Sequence, residues 1–309
     1  MKDGPVKRFL LKKYYFFLHL KEELYQSRYA VPSYFQRNKL KIMDTPTTIK
    51  CIIDENKSVA RFGDGELSAI FNSQKFGFQK WSPMLAKRLS DCLTDQHDNL
   101  MICMPRYLID TSNCNAMAKK FWHHYRRQNL HFALELVRST CGFDYVFGDT
   151  QMTRAYIDLK DKKFSESIFS SLKKIWENKD LFIVEGSQTC LGVGNDLFSG
   201  ARSIKRIECP NENAFESYDK ILNCVLDRHS GELVLAALGP TATVLAADLS
   251  DCGIQCIDLG HIDIEYEWFL AGAQEPVPVE NKYTNLDGGR TPADCTERAF
   301  LDSIIARID

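Results

Sequence analysis

Three features of this 309-residue sequence predict an α/β fold with a mostly parallel sheet flanked by helices. From residue 58 onward, short apolar runs alternate with helix-length segments, the order that builds parallel sheets. The runs carry little polar alternation, as strands buried on both faces do. Most runs end in Gly, Asp, Asn, His or Arg, at the place where such sheets bind ligands.

The elements follow in chain order. Residues 7–28 read as an added N-terminal helical segment. Leu10, Tyr14, Phe17, Leu18, Leu24 and Tyr25 share one face at 3.6 spacing, with Arg8, Lys12, His19, Glu23 and Gln26 opposite, beside Phe9 and Phe16. Pro32 and Pro46 bracket a polar connector. Strands are expected at Ser58–Gly63, Leu100–Pro105, Tyr145–Gly148, Leu181–Glu185, Ile204–Cys209, Leu233–Leu238 and Gln255–Leu259. Helices are expected at Pro83–Leu93, Asn115–Gln128, Ser165–Trp176, Ala214–Arg228 and Thr241–Cys252. A turn at Asp287–Arg290 leads into a short tail helix capped near Thr291–Asp294. The domain reading is a basic amphipathic segment over 1–44, the α/β domain over 45–290 and a tail helix over 291–309.

Composition narrows the function. The formal net charge is −2, but it divides unevenly. Residues 1–50 hold eleven basic and four acidic residues, and residues 51–309 hold twenty-eight basic and thirty-seven acidic ones. An acidic main body argues against a nucleic-acid partner, which needs a basic face. The eleven cysteines are scattered with no CxxC pair, which predicts free thiols and a cytoplasmic location. A membrane span needs about 18 apolar residues. The stretch Phe9–Leu20 is interrupted by Lys12, Lys13 and His19 and has no cleavage site after it. Residues 1–28 read either as a helix packed on the main domain or as a peripheral contact with anionic lipid at the inner face of the plasma membrane.

The strand ends carry the chemistry. After the first strand, Arg61-Phe62-Gly63-Asp64-Gly65-Glu66 places two carboxylates in a glycine-flanked turn. Asp64 and Glu66 could share a hard cation such as Mg²⁺ or Mn²⁺, or simply cap a helix. Arg61 could grip a phosphate with a two-pronged hydrogen bond. After the third strand, Arg154 follows the Gly148-Asp149-Thr150 turn. Glu185 and the loop Gly192-Val193-Gly194-Asn195 follow the fourth strand, and Asn213, at a helix N-cap position, follows the fifth. Gly239-Pro240-Thr241 opens a helix whose free N–H groups favour an anion. His261, Asp263, Glu265 and Glu267 lie within seven residues after the last strand and could supply a metal ligand or a general base. No GxxxxGK[ST] pattern occurs, which removes the commonest ATPase reading.

Taken in order, the stretches SVARFGDGE, FGDTQMTRAY, VEGSQTCLGVGNDLF, CPNENAF, ALGPTATVLAADL and IDLGHIDIEYEWFLAGA resemble the GT-D-type bacterial glycosyltransferases, once catalogued as a domain of unknown function. The resemblance covers roughly residues 45–290. It implies a Rossmann-like fold, a UDP-sugar donor and a divalent metal, Mn²⁺ or Mg²⁺. The family's Asp-x-Glu motif is matched by Asp64-Gly65-Glu66. On this resemblance Asp64 and Glu66 are the metal residues, and Arg61, Thr241 and His261 become contacts around the diphosphate. Phe62, Gly63, Asp64, Arg154, Glu185, Asn195, Asn213 and Gly239 complete the expected donor site. The acceptor is then a glycan or lipid-linked glycan in cell-surface polysaccharide or glycoprotein synthesis. A non-catalytic sugar-nucleotide-binding module and another phosphate-handling enzyme are the alternatives.

Overall fold

The computed structural model describes residues 28–71, 77–94, 98–284 and 286–309. The expected helix over 7–28, and with it the lipid-contact segment, lies almost wholly outside the described residues. Residues 28–36 are helical.

The core is a nine-stranded sheet in the order β1-β4-β3-β2-β8-β7-β5-β6-β9, parallel at every pairing. The strands are β1 (Lys41–Ile42), β2 (Ser58–Arg61), β3 (Leu100–Met104), β4 (Val146–Asp149), β5 (Asp180–Gly186), β6 (Ser203–Cys209), β7 (Leu233–Ala237), β8 (Cys256–Asp258) and β9 (Ile304–Arg307). The helices are α1 (Thr45–Glu55), α2 (Asp64–Ile70), α3 (Pro83–Thr94), α4 (Ala116–Ser139), α5 (Ser165–Trp176), α6 (Tyr218–Arg228), α7 (Pro240–Asp251), α8 (Ile262–Leu270) and α9 (Arg298–Ser303). Among the described residues no helix is long and apolar enough to cross a membrane. All eleven cysteines are free.

The seven expected strands all form, and both sheet faces are covered. Along β7, Val234 and Ala236 join an apolar cluster with α2, α3, α4, α6 and α7. Leu233, Leu235 and Ala237 join a second cluster with α1, α5 and α8. Alternate side chains are thus buried in opposite layers, which is why the run shows no polar alternation.

Three differences have physical causes. At the end of the connector between Pro32 and Pro46, α1 begins and runs on to Glu55. Pro46 sits in its first turn, where a missing N–H costs nothing, and the Asp44 side chain caps it by accepting from Thr47 N at 2.8 Å. Helix α4 runs past Gln128 to Ser139 because Leu130, Ala133, Leu134 and Val137 continue its buried stripe. The tail holds α9 and also β9, which pairs with β6 at the sheet edge. Phe300 of α9 is buried, with the Arg206 guanidinium 5.1 Å from its ring centroid.

The chain direction sets the site. Strands β2 and β8 are neighbours, yet α2 packs on one face of the sheet through Leu67 and α8 on the other through Ile262 and Ile264. Such a reversal opens a crevice beyond the strand ends.

Phe300→Ala should cost about 3 kcal/mol, the usual price of deleting a buried aromatic ring. Urea unfolding checks this, and a change below about 1 kcal/mol would mean that the tail does not pack on the sheet.

Candidate active site

The crevice is built on a buried ion pair. Arg61 ends β2 and Asp258 ends β8. Arg61 Nε donates to Asp258 O at 2.8 Å, Nη2 reaches Asp258 Oδ1 at 3.0 Å, and Nη1 donates to Thr153 Oγ1 at 2.8 Å. Thr243 Oγ1, in α7, donates to Arg61 O at 2.9 Å and lies 3.2 Å from Asp258 Oδ2. Gly260, at φ +48°, passes so close that a Cβ would sit 1.7 Å from Arg61 Nη2. The guanidinium expected to grip a phosphate is therefore held by protein acceptors, and it ties β2, β8, α7 and the Thr150–Thr153 turn together.

Asp64 and Glu66 lie in the first turn of α2, where the helix dipole favours negative charge. Glu66 folds back so that its Oε2 accepts from Gly63 N at 2.8 Å. Burial, with the Asp258 charge nearby, pushes its carboxyl up to about 7. Phe62 is buried beneath the turn, and its carbonyl accepts from Thr150 Oγ1 at 2.8 Å. Asp64 opens to solvent at the crevice mouth. The surrounding protein still raises its pKa, against the opposing charge of Arg154. Tyr125 OH of α4 donates to Asp64 O at 3.3 Å.

Arg154 faces this mouth. Its Nε donates to Asp158 Oδ2 at 2.9 Å, and its Nη2 lies 3.9 Å from Glu265 Oε1. Burial works against its charge, but Asp158 and Glu265 overcome this and raise its pKa. Glu265 is fully buried. Its Oε2 accepts from Tyr156 N and Ile157 N at 3.0 and 2.9 Å, and burial pushes its carboxyl up to about 7. It positions Arg154 and the chain beside it.

His261 caps no helix N–H with its side chain. Its ring lies against Trp268 at 5.4 Å, and its Nδ1 is buried without a partner. Burial, with Arg154 and Arg61 adding repulsion, depresses its pKa to about 3. It is therefore a neutral imidazole across the physiological range.

Other expected site residues are occupied elsewhere. Glu185 is buried, paired with Arg206 and accepting from Leu191 N at 2.6 Å, so neither oxygen is left for a ligand. Asp263 gives Oδ1 to Gly192 N and Asn195 Nδ2 and Oδ2 to Lys282 Nζ, which withdraws it from a base role. Glu267 accepts from Asn195 Nδ2 at 2.7 Å and lies 3.0 Å from Lys282 Nζ. Asn195 thus holds its loop to α8. Asn213, at φ +58°, makes no side-chain capping bond. Its Oδ1 accepts from Lys80 N and its N–H donates to Phe78 O, which fastens residues 78–80. The Phe78 ring lies over Gly239, where a Cβ would meet it at 2.0 Å. Thr241 is buried below, its Oγ1 without a partner.

The structure thus brings Asp64, Glu66, Arg61, Arg154 and His261 into one electrostatic neighbourhood. Sequence reasoning missed Asp158, Thr153, Asp258 and Lys282 as partners. Only Arg154 and Asp158, four residues apart, carried a local signal. Among the described residues no group of three or more His, Cys, Asp or Glu is arranged to hold a metal. Two carboxylates with raised pKa values, both lacking full compensation, fit a cation shared with a phosphate-bearing ligand, as Mg²⁺ is usually bound.

A parallel α/β sheet with an exposed acid and an arginine at its reversal point places both where such sheets bind ligands. The chain belongs to the glycosyltransferase GT-D fold family, which matches residues 59–286. It is similar to the probable glycosyl transferase Gly of Streptococcus gordonii, 37% identical over 277 residues that span 88% of this chain and 39% of the relative. It is similar to the glycosyltransferase GlyD of Streptococcus pneumoniae serotype 4, 36% identical over 265 residues that span 84% of this chain and 32% of the relative. The chain therefore spans well under half the length of these curated relatives. One solved structure, of domain of unknown function 1792 described as a distinct glycosyltransferase fold, superposes with a TM-score of 0.83 at 39% identity, covering 91% of this chain and 100% of that one. Another, a new glycosyltransferase from Streptococcus sanguinis, has a TM-score of 0.80 at 36% identity, covering 87% and 100%.

Two tests follow from this geometry. Arg61→Lys loses the planar fork and leaves buried Asp258 poorly paired, so it should destabilise the fold by about 3 kcal/mol. Urea unfolding reads this, and an unchanged midpoint would remove the pair from its structural role. His261 concerns pH. Its folded pKa lies below the unfolded value, so the unfolded chain binds the extra proton and stability falls as pH drops below about 6.5. His261→Gln should lose about 2 kcal/mol less than the parent chain between pH 7 and pH 5. Equal losses would show that His261 already ionises normally in the fold.

Proposed function

We propose that this chain is the catalytic domain of a metal-dependent glycosyltransferase. It moves a sugar from a UDP-sugar to a glycan or glycoconjugate acceptor in bacterial cell-surface polysaccharide or glycoprotein synthesis. The observation that carries the reading is the exposed Asp64 carboxylate at the sheet's reversal point, beside Arg154 and above the Arg61–Asp258 pair. Membership of the glycosyltransferase GT-D fold family and the names of the streptococcal relatives support sugar transfer.

Asp64 and Glu66 would hold Mn²⁺ or Mg²⁺ together with the donor diphosphate. The bound cation would offset the negative charge that grows on the leaving diphosphate. Arg154 is the partly exposed cation of the crevice and can pair with a phosphate oxygen while Asp158 and Glu265 keep it oriented. The α2 N-terminus adds free N–H groups on the same side. Neutral His261 can exchange a hydrogen bond with a sugar or phosphate without contributing charge. Arg61 supports the site from below by fixing the distance between the ends of β2 and β8.

The test is UDP release from a panel of UDP-sugars, with acceptor, in Mn²⁺, Mg²⁺ or chelator. Release should require the cation. Asp64→Asn should lower turnover on the order of 100-fold. Glu66→Gln should do the same with little loss of stability, because glutamine still accepts from Gly63 N. Full turnover in both variants, or turnover unaffected by chelator, would overturn the proposed site.

A further inference from the structure

Against the Arg61–Asp258 pair stands a helix end that the proposed site leaves unused. Helix α7 starts beyond the end of β7, and its first turn reaches the pair where Thr243 Oγ1 donates to Arg61 O. Its N-cap is Gly239, which has no side chain to satisfy the free N–H groups of that turn. The backbone at Gly239, φ +54° and ψ −139°, lies in a region that only glycine enters readily. Pro240 follows at the start of the helix, and Ala242 N turns back to Gly239 O at 2.9 Å.

The two hydroxyls of this turn differ. That of Thr243 is taken up by Arg61 O and Asp258 Oδ2. Thr241 is fully buried, and its Oγ1 has no hydrogen-bond partner among the described residues. Side chains on a helix tilt toward the helix N-terminus, which aims Thr241 at Gly239. Native interiors pair their buried hydroxyls, so an unpaired one marks a place where a partner belongs. An anionic oxygen there would meet the hydroxyl together with the positive end of the α7 dipole.

That place is shut by a ring. Phe78 lies over Gly239, so close that a Cβ on residue 239 would sit 2.0 Å from its Cε2. Phe78 itself is half-buried. Three hydrogen bonds latch its segment to the junction of β6 and α6. Asn213 N donates to Phe78 O at 2.9 Å, Lys80 N donates to Asn213 Oδ1 at 2.8 Å, and Phe215 N donates to Gln79 Oε1 at 3.2 Å. The cover and the helix end beneath it are thus held by different parts of the chain.

We propose that Phe78 is a gate over an anion seat at the α7 N-terminus. When residues 78–80 lift from Asn213, a phosphate of a nucleoside diphosphate replaces the ring over Gly239 and accepts from Thr241 Oγ1. Affinity for that phosphate is then set by the fraction of molecules in which the gate is open. Naming a nucleoside diphosphate rests on the transferase reading, and the gated seat does not.

The test is calorimetric titration of the full chain with pyrophosphate and with UDP, in chelator so that no cation at Asp64 contributes. Phe78→Ala should raise the affinity for both at least about fivefold, because the closed state no longer competes. Asn213→Gly keeps the left-handed backbone but removes the tether to Lys80 N, so it should raise both about twofold or more with the ring intact. Adding Thr241→Val to either variant should abolish the gain. Thr241→Val alone should leave the urea midpoint unchanged or higher, because the hydroxyl has no partner to lose. Weaker binding in Phe78→Ala would make the ring part of the binding surface and overturn the gate. So would unchanged affinity in both opened variants. A gain that survives Thr241→Val would overturn the seat, and a gain for pyrophosphate without one for UDP would overturn its assignment to a nucleoside diphosphate. Gains for both ligands that depend on Thr241, without UDP release from any UDP-sugar, would strike the transferase reading alone.

Discussion

The Arg61–Asp258 pair is the constraint on which the crevice depends. The two residues end adjacent parallel strands that come from opposite ends of the domain, 197 positions apart. One guanidinium satisfies a backbone carbonyl, a carboxylate and a threonine hydroxyl at once. Removing either charge would leave the other buried in a low-dielectric interior, where an unpaired charge is costly. The pair needs Gly260 beside it, since any Cβ there would collide with the guanidinium. Its geometry then fixes where α2 and α8 begin, and so where Asp64, Glu66 and His261 stand.

Most acids at the strand ends serve this same purpose. Glu185 is tied to Arg206, Asp263 to Lys282, and Asp158 and Glu265 to Arg154. Apart from Arg154 with Asp158, four residues apart, each pair links separate segments of the chain, and each engages its carboxylate within the protein. The acidic total of residues 51–309 is therefore a poor guide to metal binding. Asp64 and Glu66 are left as the candidates for a cation, since neither forms an ion pair among the described residues and burial raises the pKa of both.

Much of the fold was legible because buried parallel strands appear as unbroken apolar runs. β1 escaped because two residues make no run, and β9 because an edge strand alternates in burial and follows a helix directly. Helix α1 is hidden because Pro46 reads as the end of a polar connector, although Asp44 before it is an N-cap residue type and its side chain accepts from Thr47 N. In the site, Asp64 and Glu66 could be read from their turn between glycines. The commitments of Arg61, Asp263 and Glu185 could not, because each partner lies at least nineteen positions away and is chosen by topology. Arg154 with Asp158 was the exception, four residues apart on one turn of chain.

The two-carboxylate limit has a consequence for the order of binding. Two oxygens leave most of the coordination shell of a hard cation to water, and such sites bind the ion weakly until a phosphate joins them. A cation held at Asp64 and Glu66 would therefore be recruited with the diphosphate, and its affinity would depend on donor concentration. Arg154 enters the same balance, since it already opposes the raised pKa of Asp64 across the crevice mouth. A diphosphate placed between them would be shared by one fixed guanidinium and one mobile cation. The fixed charge would orient such a ligand ahead of the ion, because Asp158 and Glu265 already hold Arg154 in place.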